Sequence, residues 1–397
     1  MSDNNQITTK TTILVSADRS TANPITAIVR SHYSLQTILA LTLGLAMSAC
    51  TPQSPDVATA PSGGTTPTPA ASGSPAASSG GSSSLSGAGA SFPAPLYQRW
   101  FADYNKANPG TQISYQSVGS GAGVEQFLAG TVDFGATDAP LKPEERAKFK
   151  AKYNADPIQV PMTGGSVVFA YNLEGVKDLK LSRAAYCGIA AGKITKWNDP
   201  AIAKANAGAK LPDQAIQFVH RSDGSGTTYQ FTTHLKAACP SVWTAGANKT
   251  VAWPAGTGAK GNEGVAAQIK QTPNAIGYVE YSYGKQTDLT MAAIENKSGK
   301  LIAPSPASGA EAFVGQTVPA DLGLTIPDST NPKAYPISGL TWLLLYPQSK
   351  DAAKQTALKS VIDWSLSTGK ATATELGYVP LEAGLVTKVK AELNKAK

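Results

Sequence analysis

Three short segments of the 397-residue chain place glycines and hydroxyls directly ahead of helix-forming sequence. The first, Gly87-Ala88-Gly89-Ala90-Ser91-Phe92-Pro93-Ala94-Pro95, leads into Leu96 to Lys106. The second, Gly119-Ser120-Gly121-Ala122-Gly123, precedes Val124 to Ala129. The third, Arg221-Ser222-Asp223-Gly224-Ser225-Gly226-Thr227, precedes Thr228 to Lys236. The first N–H groups of a helix lack intrahelical partners and the dipole makes that end positive, so each segment is suited to an anion. Ser91, Ser120, Ser225 and Thr227 add hydroxyl donors, and Arg221 adds a planar charged fork. Taken singly, each segment reads more simply as a glycine turn with a helix cap, Ser91 being placed to cap the first helix. Three in one chain, one bearing an arginine, predict a convergent oxyanion site.

Other chemistries find little support. No segment fits GxxxxGK[ST] or GxSxG, so neither a nucleotide-hydrolysing P-loop nor a nucleophile elbow is expected. Gly256 to Gly261 matches GxGxxG and follows the strand-like Val251-Ala252-Trp253. Pro254 and Asn262-Glu263-Gly264 nevertheless predict an irregular loop there, not the tight strand-to-helix turn of a dinucleotide site. The chain has no CxxC or HxxxH spacing, and only His220 and His234 lie in its main body, so no metal, cofactor or histidine-based catalysis is expected. The net charge is +7, from 34 basic and 27 acidic residues, with no block of consecutive Lys or Arg. That is a mildly basic solvated surface rather than a nucleic-acid stripe.

The N-terminal part carries targeting features. No charged residue occurs from Ser31 to Pro55, and Arg30 precedes an apolar run from Leu35 to Ala49. At about 15 residues the run is short for a membrane span and suits a secretory signal over residues 1–49. Met47-Ser48-Ala49-Cys50 is similar to a bacterial lipobox, which implies acylation of Cys50; an ordinary signal with an incidental cysteine is the alternative. Residues 50–84 are then the lipidated cysteine and a linker of Pro, Ser, Gly, Thr and Ala, a composition too poor in apolar surface to fold. For an exported chain, Cys187 and Cys239 read as a disulfide or as two buried thiols, with the bridge the expectation.

In residues 85–397, Gln112 to Val118 alternates like a strand, Ser166 to Tyr171 and Leu340 to Tyr346 are buried runs of strand length, and Ala352 to Thr368 is patterned as an amphipathic helix. Alternating strands and helices predict an α/β architecture with largely parallel sheets. The length exceeds one comfortable core, so two lobes are expected.

Ser86 to Pro95 (SGAGASFPAP), Gly130 to Pro140 (GTVDFGATDAP), Arg221 to Thr227 (RSDGSGT), Gly261 to Gly264 (GNEG), Ala275 to Tyr283 (AIGYVEYSY) and, more weakly, Ala334 to Trp342 (AYPISGLTW) together resemble the phosphate-binding protein of bacterial high-affinity phosphate ABC importers. The resemblance implies a two-lobe periplasmic-binding-protein fold of type II with a hinge and a central cleft. Residues 85–160 and 335–397 would form one lobe and 161–334 the other. It implies binding of inorganic phosphate, without catalysis, outside the cytoplasmic membrane. Delivery would be to the permease and ATPase subunits of an importer, with the lipid as membrane anchor and the periplasm or cell surface as location.

Carried over by position, it assigns phosphate contacts to Ser91, Phe92 (through its N–H), Ser120, Arg221, Ser225, Gly226 and Thr227. Asp138 becomes the acceptor and Asp223 the partner that orients Arg221, although by its neighbours alone Asp138 reads as a surface turn residue before Ala139-Pro140. Phosphate near neutral pH carries at least one proton and sulfate none, so a buried acceptor would separate them. The remaining alternatives are another oxyanion (sulfate, molybdate or arsenate) or a secreted phosphatase.

Overall fold

Short apolar runs become strands here because the central strands of the sheet are buried on both faces, so no polar alternation is needed. The structure, a computed structural model, describes residues 83–397. The signal, Cys50 and most of the linker fall outside the described residues.

The strands are β1 (Ser83–Gly89), β2 (Thr111–Ser117), β3 (Phe134–Thr137), β4 (Ile158–Asn172), β5 (Lys180–Leu181) and β6 (Gln217–Arg221). Then follow β7 (Thr257–Ala259), β8 (Ala275–Glu280), β9 (Thr290–Met291), β10 (Ala293–Glu295), β11 (Leu301–Ile302) and β12 (Ser338–Leu345). The helices are α1 (Ala94–Ala107), α2 (Ser120–Ala129), α3 (Pro143–Tyr153), α4 (Arg183–Ala190), α5 (Pro200–Ala203) and α6 (Gly226–Ala238). The rest are α7 (Gly261–Gln271), α8 (Tyr281–Gln286), α9 (Pro306–Ala310), α10 (Ala352–Leu366), α11 (Lys370–Leu376) and α12 (Ala383–Leu393). Because β1 begins at Ser83, the last two residues of the expected linker belong to the folded body.

The main sheet has the order β2-β1-β3-β12-β4-β8-β6-β7, with β9 also against β4. β1 pairs in parallel with β2 and β3, and β6 in parallel with β7 and β8. Between these groups β12 runs antiparallel to β3 and β4, and β4 antiparallel to β8. The sheet is therefore mixed, which corrects the expectation of largely parallel pairing: apolar runs report burial on both faces, not direction. All but the last residue of β4 are buried, and all of β12. β4 pairs with β12 through Ser166 and with β8 from Val167 onward, so one continuous strand joins the two halves of the sheet.

The GxGxxG segment is also corrected. It is a strand-to-helix turn, β7 to α7, and Asn262-Glu263-Gly264 form the first turn of α7. Gly261 sits at φ +71°, which favours glycine and lets the chain enter the helix there. Val251-Ala252-Trp253 is not a strand; Trp253 stacks on His220 with ring centroids 4.7 Å apart. Cys187 in α4 and Cys239 at the C-terminal cap of α6 are joined by a disulfide, with Cα atoms 6.2 Å apart. Its loop contains Arg221 to Thr227, so the bridge limits the unfolded freedom of the third anion segment.

Candidate functional site

The ends of β1, β3, β6 and β8 and the starts of α2, α6 and α7 meet where the two halves of the sheet face each other. The turn after β1 shows how backbone is aimed. The carbonyls of Ala90, Ser91 and Phe92 accept the hydroxyls of Tyr115 (2.6 Å), Tyr283 (2.7 Å) and Tyr378 (2.8 Å). These bonds occupy three successive carbonyls and the Ala90 N–H is taken by the Ala136 carbonyl (3.0 Å), whereas the Ser91 and Phe92 N–H groups have no acceptor among the described residues. Pro93, not Ser91, is the N-cap of α1, and it makes no side-chain cap bond. The expected capping role of Ser91 is thus not used, and its hydroxyl is available elsewhere.

Asp138 follows β3 and is 1% exposed, which corrects the surface-turn reading. Its N–H donates to Ser120 Oγ (3.2 Å), and the Ser120 hydroxyl faces Asp138 Oδ2 at 3.4 Å. From the other half, Gly226 N donates to the same Ser120 Oγ (3.1 Å), and Gly121 N donates to Gly224 O (2.7 Å). A Cβ on Gly226 would lie 2.5 Å from Asp138 Oδ2 and 2.6 Å from Ser120 Oγ, so only glycine permits this approach. Asp138 Oδ1 is buried, and no hydrogen-bond partner for it is seen among the described residues.

Arg221 ends β6 and is 3% exposed. Its Nε and Nη2 donate to Asp223 Oδ1 (2.7 Å) and Oδ2 (2.5 Å), while Nη1 lies 3.4 Å from Thr227 Oγ1. Asp223 Oδ1 also accepts Gly261 N (3.1 Å), tying the arginine clamp to α7. Ser225 is the cap of α6, accepting Thr228 N (3.0 Å), so here the plain capping reading holds for the acceptor side of the hydroxyl.

Burial dominates the electrostatics. It raises Asp138 to about 7, although the Thr341 hydroxyl, the Arg221 charge and the Ser120 hydroxyl oppose it. Burial alone would raise Asp223 too, but Arg221 outweighs it and holds that carboxyl below its ordinary range. Glu280, at the end of β8, is raised to about 8 by burial. His234 is driven down to about 4 by burial and sits between Tyr186 and the Pro327 carbonyl, a neutral structural histidine away from the site.

Ser91, Ser120, Asp138, Arg221, Asp223, Ser225, Gly226 and Thr227 are therefore brought together, with Phe92 beside them in the turn after β1. Sequence reasoning missed Asn262. It is fully buried at the start of α7, and its N–H and Nδ2 donate to Ser91 Oγ (3.1 and 2.9 Å). Nδ2 also donates to Thr227 Oγ1 (3.0 Å). The signal was present in the Gly261-Asn262-Glu263-Gly264 motif but was obscured by its neighbouring glycines.

A family profile described as a PBP superfamily domain matches residues 74–368. A phosphate-binding protein PstS of Pasteurella multocida is 42% identical over 316 residues, covering 77% of this chain and 89% of that protein. The PstS of Xylella fastidiosa strain Temecula1 is 39% identical over 372 residues, covering 91% and 98%. Among solved structures, a high-affinity periplasmic phosphate-binding protein (PfluDING) bound with phosphate has a TM-score of 0.65 at 22% identity, covering 78% of this chain and 93% of that one. A phosphate-binding protein from Stenotrophomonas maltophilia has a TM-score of 0.62, also at 22% identity, covering 78% and 93%. These structural likenesses carry the α/β periplasmic-binding-protein fold expected from the sequence. Sequence and fold agree, and the chain belongs to the PstS phosphate-binding proteins of the PBP superfamily.

Proposed function

We propose that this chain binds inorganic phosphate between the two halves of its sheet and hands it to an ABC-type phosphate importer. The observation that carries the reading is Asp138 Oδ1, a buried carboxylate oxygen with no partner among the described residues. Ser91 and Thr227 hydroxyls, for which no protein acceptor is seen among the described residues, accompany it. A group with oxygens on all sides and a proton on one would satisfy both kinds of atom. The donors are hydroxyls, the Phe92 N–H, the α6 N-terminus and Arg221, and the charge of Arg221 is largely offset by Asp223. The ligand charge is dispersed over neutral dipoles.

Residues 85–160 with 335–397, and residues 161–334, are the two lobes of this reading, with β4 and the chain entering β12 as the hinge. Ligand favours the closed form because contacts from both lobes exist only there. The permease then recognises that form. Export, anchoring through lipidated Cys50 and a periplasmic or cell-surface location complete the reading, supported by the signal-like run ahead of Cys50. No reaction is assigned to the site: the one histidine near it among the described residues, His220, stacks on Trp253 and bonds the Arg221 carbonyl.

Calorimetric titration at neutral pH tests this directly. One phosphate per chain is expected, displaced by arsenate, which also carries protons, and not by sulfate or molybdate in comparable excess. Equal competition by sulfate, or turnover of a chromogenic phosphate ester, would overturn the proposal.

A further inference from the structure

Ser91 Oγ receives two donors, the Asn262 N–H (3.1 Å) and Asn262 Nδ2 (2.9 Å). A hydroxyl oxygen has two acceptor sites and one proton. With both acceptor sites filled, the Ser91 proton has no choice but to be donated, and no acceptor for it is seen among the described residues. Thr227 Oγ1 is in the same condition, taking Asn262 Nδ2 (3.0 Å) and the longer Arg221 Nη1 contact (3.4 Å). Both hydroxyls are almost fully buried.

The amide itself cannot be turned over. Asn262 Oδ1 accepts the Glu280 N–H (2.9 Å), so Nδ2 is the atom that faces the two hydroxyls. We propose that Asn262 is a positioning residue that forces the Ser91 and Thr227 hydroxyls to act as donors toward the anion, spanning the cleft as it does so. The proposal rests on the phosphate reading above and adds the element that sets hydroxyl polarity. Asn262 belongs to the half of the sheet that carries β6 and β8, and Ser91 to the half that carries β1. Their two bonds therefore form on closure, and Asn262 acts mainly on the rate at which phosphate leaves. It explains why an amide, which offers a donor and an acceptor at once, is placed there: the acceptor is locked by β8 and the donor spent on the hydroxyls.

The test is the phosphate affinity and dissociation rate of Asn262→Ala in the wild-type chain and in a Ser91→Ala, Thr227→Val background. Alanine in the wild-type chain is expected to weaken phosphate about 10- to 100-fold, mostly through faster dissociation, as for loss of polarised bonds to a charged group. In the double-variant background the same change is expected to alter affinity by less than about threefold, because the hydroxyls it acts through are gone. Equal losses in both backgrounds would mean a general structural role and overturn the proposal. Asn262→Asp, which is isosteric and still accepts from Glu280, covers the case in which alanine does not fold. Its loss is expected to be at least about tenfold greater in the wild-type chain than in the double-variant background, the added charge being common to both. Equal losses here also overturn the role. A wild-type chain that binds no phosphate would instead sink the phosphate reading itself, so the two failures are distinguishable.

Discussion

Asp138→Asn is expected to bind sulfate at least about 100-fold more tightly than the wild type and phosphate about 10- to 100-fold more weakly, as isothermal titration at pH 8 will read. In the wild type at that pH the carboxylate is largely ionised, and sulfate would set a lone-pair-bearing oxygen against Asp138 Oδ1 with no proton between them. On the proposed reading, phosphate supplies that proton. The asparagine amide offers a donor to either anion, which removes the repulsion for sulfate and deprives phosphate of its acceptor. Because Asp138 is raised to about 7, the wild type should itself lose discrimination as pH falls from 8 to 6. A neutral carboxyl can donate to sulfate; in Asp138→Asn this pH dependence should vanish.

The same raised value has a sign for stability. Folded Asp138 holds its proton more tightly than the unfolded side chain. Its contribution to ligand-free stability is therefore full below the unfolded value of 3.8 and is lost as pH rises through about 7. Asp138→Asn should accordingly melt higher relative to wild type at pH 8 than at pH 4.

Arg221→Ala is expected to weaken phosphate by at least about 1,000-fold in a direct titration. The substitution removes a charged donor and strips Asp223 of the two bonds that neutralise it. Two carboxylates, Asp138 and Asp223, would then face the anion with no nearby guanidinium. Breaking a buried pair from one side also costs about 3–5 kcal/mol of stability. Arg221→Ala combined with Asp223→Ala should regain much of the stability and little of the affinity, separating the two losses. Arg221→Lys keeps the charge but not the fork that grips both oxygens of Asp223, and a loss of about 10- to 100-fold is expected.

The residues that the structure gathers here were legible because function and local structure share a vocabulary: glycine and hydroxyl residues before a helix, with an arginine at a strand end. Ser91, Ser120, Arg221 and Thr227 could be named on those grounds, and Asp138 through family likeness. What the sequence hid has physical reasons. Tyr115, Tyr283 and Tyr378 look like core aromatics, and nothing in their spacing says that their hydroxyls hold the carbonyls of residues 90–92. Asn262 was lost in a glycine-rich stretch whose φ values, not its composition, decide between loop and helix start. The antiparallel pairing of β4 with β12 was unreadable because an apolar strand buried on both faces has no sequence mark of direction.

A crystal structure of the phosphate complex is the most direct test of the idea that one carboxylate checks a tetrahedral ion for hydrogen. Asp138 Oδ1 is expected about 2.5–2.7 Å from one phosphate oxygen, the shortest contact in the site, with Ser91, Thr227 and Arg221 around the other oxygens. Phosphate bound elsewhere, or separated from Asp138 by water, would contradict it.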